Sequence, residues 1–211
     1  MAFSFNGSSS YIEATSTPVT AEPFTMVCWF NPTNVSTDGA LMSIGNSAGS
    51  NRFQMNMNGA TGGDTIAISS VGASTATSSS TNLFTANTWH HAAAVCASNA
   101  SRTIYLNGVQ GNPNTTPVTV AGVNNIMIGG RWQSGNRGFF VNAKIAEVAI
   151  WNVVLTNREI TSLSKGFAPY LIRPSNLKFY NRCLRTSQDR AGGRTLTQVN
   201  ITNFDHPRIY G

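Results

Sequence analysis

Residues 143–167, AKIAEVAIWNVVLTNREITSLSKGF, change their hydrophobic period partway through, and that change decides the fold class. From Lys144 to Ile150 the apolar residues alternate and then run together, with Glu147 directed outward and Trp151 closing the run, as in a strand packed on both faces near its end. After Asn152 the pattern turns helical. Thr156 and Glu159 stand in the T-x-x-E spacing in which each side chain satisfies the other's backbone N–H at a helix start, and Ile160 and Leu163 make one apolar face. Gly166 supplies a stop, and Pro169 prevents the helix from resuming. The stretch predicts one strand and then one short helix near 156–165.

Outward from it, the chain carries strand and turn signals. Residues 3–5 and 11–14 read as a hairpin about Asn6-Gly7. Residues 24–31 form a near-continuous apolar run ended by Pro32, the pattern of a strand buried on both faces. Residues 40–45 and 52–58 pair across 46–51. In the second of these, Phe53, Met55 and Met57 alternate with Arg52, Gln54, Asn56 and Asn58, which predicts a wet, concave polar face. Residues 65–71 form another strand, and 72–82 read as a mobile Ser/Thr/Ala loop. Residues 89–97 and 102–106 make a central hairpin, with Asn107-Gly108 as the next tight turn; 118–121, 125–129 and 138–141 follow. Beyond Pro174, residues 177–180 and 194–202 are also strand-like. About a dozen short strands with turn signals at roughly 8–12 residue spacing indicate an all-β, two-sheet antiparallel jelly-roll sandwich with a single short helix.

The segments FNGSSSYIEA (5–14), TWHHAAAVCASNASRTIYLNG (88–108), NNIMIGGRW (124–132) and AEVAIWNVVLTNREITSL (146–163) resemble the laminin G-like branch of the concanavalin A-like lectin/glucanase jelly-roll superfamily. The resemblance covers residues 3–167. The tail, LIRPSNLKFYNRCL, DRAGGRTLT and DHPRIYG, is similar to the ends of such domains in bacteriophage structural proteins. It implies a laminin G-like domain over 1–167 and a basic C-terminal extension over 168–211 that packs on the domain, docks a partner, or both. The fold hosts lectins, hydrolases and architectural modules, so function must be argued from sites.

Of 211 residues only 22 are charged, and 41% are hydrophobic, a turn-rich β composition rather than a disordered one. The net charge of +6 is segregated. Residues 1–157 carry five cations and five acids, whereas 158–211 carry nine cations against Glu159, Asp189 and Asp205. A basic segment on a neutral body suits docking to an acidic surface, and the bland alternative is solubility with local ion pairs. Cys28, Cys96 and Cys183 are odd in number, and the first two lie in apolar runs, so no disulfide framework is expected. No basic-then-apolar leader and no membrane-length apolar run are seen, so membrane attachment is not expected.

Residues 45–49 match G-x-S-x-G, but the strand pattern that follows makes them a hairpin loop rather than a nucleophile elbow. His90 and His91 are neighbours on a strand, point to opposite faces and cannot share a metal ion; His206 is isolated. Glucanases of the superfamily need paired carboxylates about 5–5.5 Å apart on one strand face, and the eight acids here are scattered. Neither catalysis nor a cofactor is expected. Asp38 and Asp64, isolated among Asn, Ser and Gly, do not promise a calcium site.

Two sets of candidate residues follow. In the loop GGRWQSGNRG (129–138), Trp132 can stack on a sugar ring while Arg131, Asn136 and Arg137 donate hydrogen bonds; the alternative is that Trp132 covers a sheet edge. In the tail, Arg173, Lys178, Arg182, Arg185, Arg190 and Arg194 recur among Phe179 and Tyr180, suited to gripping a partner's carboxylates, with strand addition as the docking mode and nucleic acid disfavoured. The first functional expectation is a non-catalytic virion protein, a capsid decoration protein on the particle surface bound to the major capsid protein or another virion protein. The alternative is a carbohydrate-binding lectin module whose partner is a glycan, held by the Trp132 loop and the polar face of residues 52–58. A homo-oligomer is expected in either case.

Overall fold

The computed structural model describes residues 2–184 and 188–205. In chain order the strands are β1 (Ala2–Asn6), β2 (Tyr11–Ala14), β3 (Phe24–Pro32), β4 (Asp38–Gly45), β5 (Arg52–Asn58), β6 (Thr65–Val71), β7 (Thr75–Ser79), β8 (His90–Ser98), β9 (Ser101–Leu106) and β10 (Val109–Gln110). There follow β11 (Asn125–Ile128), β12 (Arg131–Gln133), β13 (Asn136–Gly138), β14 (Asn142–Trp151), helix α1 (Asn157–Ser164), β15 (Leu177–Asn181), β16 (Thr197–Val199) and β17 (Thr202–Phe204). One antiparallel sheet runs β10-β9-β8-β3-β14-β1-β17, with β15 also on β14; the second runs β16-β2-β11-β4-β5-β6-β7. This is the all-β sandwich that the periodicity predicts.

Alternation explains the core. Met26, Cys28 and Phe30 of β3 face the second sheet, where Phe24 meets Phe53 edge-on with ring centroids 4.8 Å apart. The other face of the first sheet is apolar too, because α1 covers it: Val27, Ala93, Val95, Tyr105, Ala149 and Trp151 pack with Ile160 and Leu163. Burial on both faces is why β3, β8 and β14 read as continuous apolar runs. The helix starts as its capping box requires, with Glu159 N donating to Thr156 Oγ1 at 3.3 Å and Thr156 N donating to Glu159 Oε2 at 2.7 Å. It ends where Gly166, at φ +90°, lets Phe167 N reach Ser162 O at 3.2 Å.

Several local expectations are corrected. Residues 3–5 and 11–14 do not form a hairpin: β1 and β2 belong to different sheets. Asn6 Oδ1 accepts from the backbone N–H groups of Ser8, Ser9 and Ser10, a local cap that carries the chain across the sandwich. The stretch 72–82 contains β7. Its inward residues are Ala76 and Ser78, so a polar pattern hides a real strand; Ser78 Oγ accepts from Ile104 N and donates to Asn112 O. Residues 118–121 form no strand, although Val118 and Val120 are buried, and of 138–141 only Gly138 lies in one, the end of β13. The strand expected over 194–202 is two, β16 and β17, broken at Asn200 with φ +52°.

Glu147 does not point outward. It is 3% exposed and sits at φ +51° in a β-bulge, between the segments of β14 that pair with β1 and with β15. It accepts a hydrogen bond from Tyr180 Oη and lies 3.8 Å from Arg182 Nε.

The tail residues complete both sheets. β15 pairs with β14, β16 with β2 and β17 with β1. Arg194 donates to Asp189 Oδ2 at 2.8 Å, Lys178 O at 2.8 Å and Thr17 O at 3.2 Å.

Candidate functional site

The outer face of the second sheet carries one cross-strand row that is polar apart from Met127: Glu13 on β2, Met127 on β11, Ser43 on β4, Gln54 on β5, Ser69 on β6 and Thr77 on β7. Directly after β11 the chain rises off the sheet. Ser43 Oγ donates to Gly130 O at 3.1 Å, and the loop GGRWQSGNRG becomes the hairpin β12–β13. Its turn is built by Ser134 at φ +50° and Gly135 at φ +78°, the left-handed pair that a two-residue hairpin needs. Gly49 of the 46–51 loop packs against the backbone of Trp132 and Gln133, where a Cβ would come within 2.7 Å.

Strand alternation gives this hairpin two sides. On one, Trp132 pairs across to Arg137, whose guanidinium lies 4.3 Å from the Trp132 ring centroid and grips Glu13 on β2 through Nε at 3.0 Å and Nη2 at 2.6 Å. Glu13 beside it raises the Arg137 guanidinium above its ordinary range. On the other, Arg131 donates to Gln54 Oε1 on β5 at 2.7 Å and to Gln133 Oε1 at 3.1 Å, with its guanidinium 4.0 Å over the Phe139 ring. The hairpin thus stands over β11 and β4 and divides the outer face into a β2 side and a β5 side. It also screens the face expected to be wet: Gln54 and Asn56 are 5% and 6% exposed.

On the β2 side lies a cleft of about 150 Å³ lined by Glu13, Ala14, Thr15, Ser47, Asn124, Asn125 and Trp132. Asn125 is buried; its Nδ2 donates to Asn124 Oδ1 at 3.0 Å, and among the described residues its Oδ1 has no partner. Arg137 lies over the Trp132 ring and does not line the cleft, whereas Trp132 does. An aromatic wall, two amides, two hydroxyls and a carboxylate lining one small concavity suit a polyhydroxylated ligand, which needs a flat apolar contact and several orienting hydrogen bonds.

Arg131, Trp132 and Arg137 therefore come together on one hairpin, with Asn136 exposed near its tip and bonded to Ser134 O at 3.3 Å. Sequence reasoning missed Glu13, Ser47, Asn124 and Asn125 as lining residues. Glu13 carried the one readable signal, an outward acid between Ile12 and Ala14.

The tail residues lie elsewhere. Arg173 pairs with Glu159 at 2.6 Å and Lys178 Nζ donates to Ser175 O at 3.2 Å. Arg182 and Arg190 line a second cleft of about 340 Å³ with Tyr170, Pro174, Leu177, Tyr180 and Ala191. Arg194 is turned inward as described. Arg185 and His206 lie outside the described residues.

The two adjacent histidines do point apart. His90 Nδ1 meets Asn107 Nδ2 at 3.0 Å, while His91 is buried beside Trp29, and burial lowers its pKa to about 3. Residues 45–49 close the β4–β5 hairpin, with Asn46 Oδ1 accepting from Ser50 N and Asn51 N. Among the described residues no three His, Cys, Asp or Glu side chains gather to hold a metal ion, and no helix is long and apolar enough to cross a membrane.

The chain belongs to the concanavalin A-like lectin/glucanase superfamily, whose laminin G-type family model matches residues 6–161. No curated protein matches it in sequence. Among solved structures it is similar to the heptameric SAP-like pentraxin of Limulus polyphemus, at 15% identity over 95% of this chain and 93% of that one, TM-score 0.69. It is similar as well to the CBM40 of the Ruminococcus gnavus IT-sialidase bound to α2,3-sialyllactose, at 17% identity over 69% and 84% of the two chains, TM-score 0.60. A candidate carbohydrate-binding protein from Bacteroides ovatus matches at 17% identity over 98% of this chain and 60% of its own, TM-score 0.65. At these identities the likeness is one of fold.

Proposed function

We propose that this chain is a carbohydrate-binding module that recognises a glycan through the β2 side of the Trp132 hairpin and carries out no catalysis. The observation that carries the reading is the cleft itself: Trp132 walls a small polar concavity in which the buried Asn125 Oδ1 lacks a donor, and a sugar hydroxyl is the kind of group that supplies one. Trp132 contributes stacking area, Asn124, Asn125 and Ser47 contribute orientation, and Arg137 holds Glu13 in place.

The comparisons support carbohydrate binding over the virion role, since two of the neighbours above are described by glycan binding, and a capsid partner draws no support from them. The heptameric Limulus pentraxin lends support to a homo-oligomer, which would multiply weak single-site affinities. A glycan array probed with the full chain tests the reading. Binding that Trp132→Ala and Asn125→Ala both remove is expected; an array without signal overturns it.

A further inference from the structure

On the β5 side of the hairpin, two cations meet where no anion waits for them. Arg52 Nε and Arg131 Nη1 both donate to the same neutral oxygen, Gln54 Oε1, at 2.6 and 2.7 Å. Among the described residues neither forms an ion pair, whereas Arg137, Arg173, Arg182 and Arg194 each have a carboxylate. The charge that acts on Arg131 is that of Arg52, and it repels. Burial, and then Arg52, lower the Arg131 guanidinium to about 10, so holding both groups charged works against the fold.

Arg102 shows what a purely structural arginine looks like here. It is 1% exposed, and its Nε, Nη1 and Nη2 donate to Ser70 Oγ, Asn114 Oδ1, Thr116 O and Asn99 O, so a neutral cage takes four of its five N–H donors. Arg52 and Arg131 are not caged in this way. Besides the shared Gln54 oxygen, Arg52 reaches Gly49 O and Arg131 reaches Gln133 Oε1, so each leaves most of its five N–H donors unspent. Among the described residues the buried Arg131 Nε has no acceptor, and on the same face the Oδ1 of Asn56, 6% exposed, has no partner. A converging pair of guanidiniums with spare donors is matched by a bidentate oxyanion, and beside it an unmet amide acceptor is matched by a hydroxyl.

We infer that Arg52 and Arg131 form an anion-recognition subsite that takes the carboxylate or sulfate group of an acidic saccharide, separate from the Trp132 cleft and across the hairpin from it. That the anion is borne by a saccharide rests on the carbohydrate-binding reading above; that the subsite takes an anion rests on Arg52, Arg131 and Gln54 alone.

The test uses the full chain. Its thermal midpoint is measured in sodium sulfate and in sodium chloride at equal ionic strength, and calorimetry compares 3′-sialyllactose and lactose 3′-sulfate with lactose. The site predicts a sulfate-specific rise of several degrees and binding of both acidic sugars at least tenfold tighter than lactose. Both gains disappear in Arg131→Gln. They also disappear in Gln54→Glu, which supplies a built-in carboxylate between the two guanidiniums and raises the midpoint without added anion, so the result does not depend on Arg131→Gln folding.

Lactose binding equal to that of the acidic sugars, with no sulfate effect, overturns the anion subsite and leaves the carbohydrate reading standing. An Arg131-dependent sulfate effect without binding of any of the three sugars keeps the anion subsite and overturns its assignment to these acidic saccharides. A sulfate rise that persists in both variants overturns the subsite as well. Absence of both responses overturns the subsite and its saccharide ligand together.

Discussion

Tyr180 Oη donates a hydrogen bond to Glu147 across the pair of strands β15 and β14, at the bulge where β14 exchanges β1 for β15 as its neighbour. Glu147 is 3% exposed and Tyr180 is also buried; burial pushes both groups' pKa values up. A carboxylate inside a sheet is tolerable only with compensation: the Tyr180 hydroxyl donates to it, and the Arg182 charge lies 3.8 Å away. Tyr180→Phe removes one donor and leaves the buried acid underpaired. We expect a loss of about 1–3 kcal/mol in urea unfolding with unchanged far-UV circular dichroism.

The same relationship bears on the C-terminal segment. β15, β16 and β17 supply edge strands to both sheets, and Phe179, fully buried, belongs to the central core. A chain ending at residue 167 exposes that core and three strand edges. It is expected to aggregate or to unfold without a cooperative transition, whereas a monomeric chain with a sharp transition would show that residues 168–211 are dispensable.

His91 makes the fold sensitive to acid. Its imidazole is fully buried beside Trp29, and its pKa falls to about 3 against about 6.5 in an unfolded chain. Between these values the unfolded state binds a proton that the folded state does not. The stability attributable to neutral His91 is therefore complete above about pH 6.5 and is lost as pH falls toward 3, at up to about 1.4 kcal/mol per pH unit. His91→Gln should flatten this part of the stability profile; identical slopes for the two proteins would contradict the assignment.

Arg102 ties β9 to β6, to the 99–101 turn and to the strap at Asn114–Thr116 through four acceptors. Arg102→Met abandons them all in a buried place, and we expect a cost of about 3 kcal/mol by chemical denaturation. Thr156→Ala, which loses the side-chain half of a capping box, should cost about 1 kcal/mol.

How far the sequence could be read depended on whether a residue's environment was local. Thr156, Glu159 and Gly166 announced α1 because caps are short-range devices, and β3 announced its two-sided burial because α1 lies over it. β7 stayed hidden because Ala76 and Ser78 fill a small space with little apolar area. β1 and β2 looked like a hairpin because Asn6-Gly7 is a turn signal wherever it occurs, while the choice between pairing in one sheet and crossing to the other lies in contacts with β14 and β11. The Trp132 hairpin was visible as a candidate loop. So was the polar face of β5 that carries Arg52 and Gln54; Glu13 and Asn125 were not, since what gathers them is the cross-strand register of the second sheet.

The central claim is tested most directly by isothermal titration of the strongest array glycan into the wild-type chain and into Trp132→Ala, with the fold of the variant verified by circular dichroism. The account predicts that the variant loses at least tenfold in affinity while keeping its sandwich. Equal affinity in the two proteins would place the glycan elsewhere and contradict it.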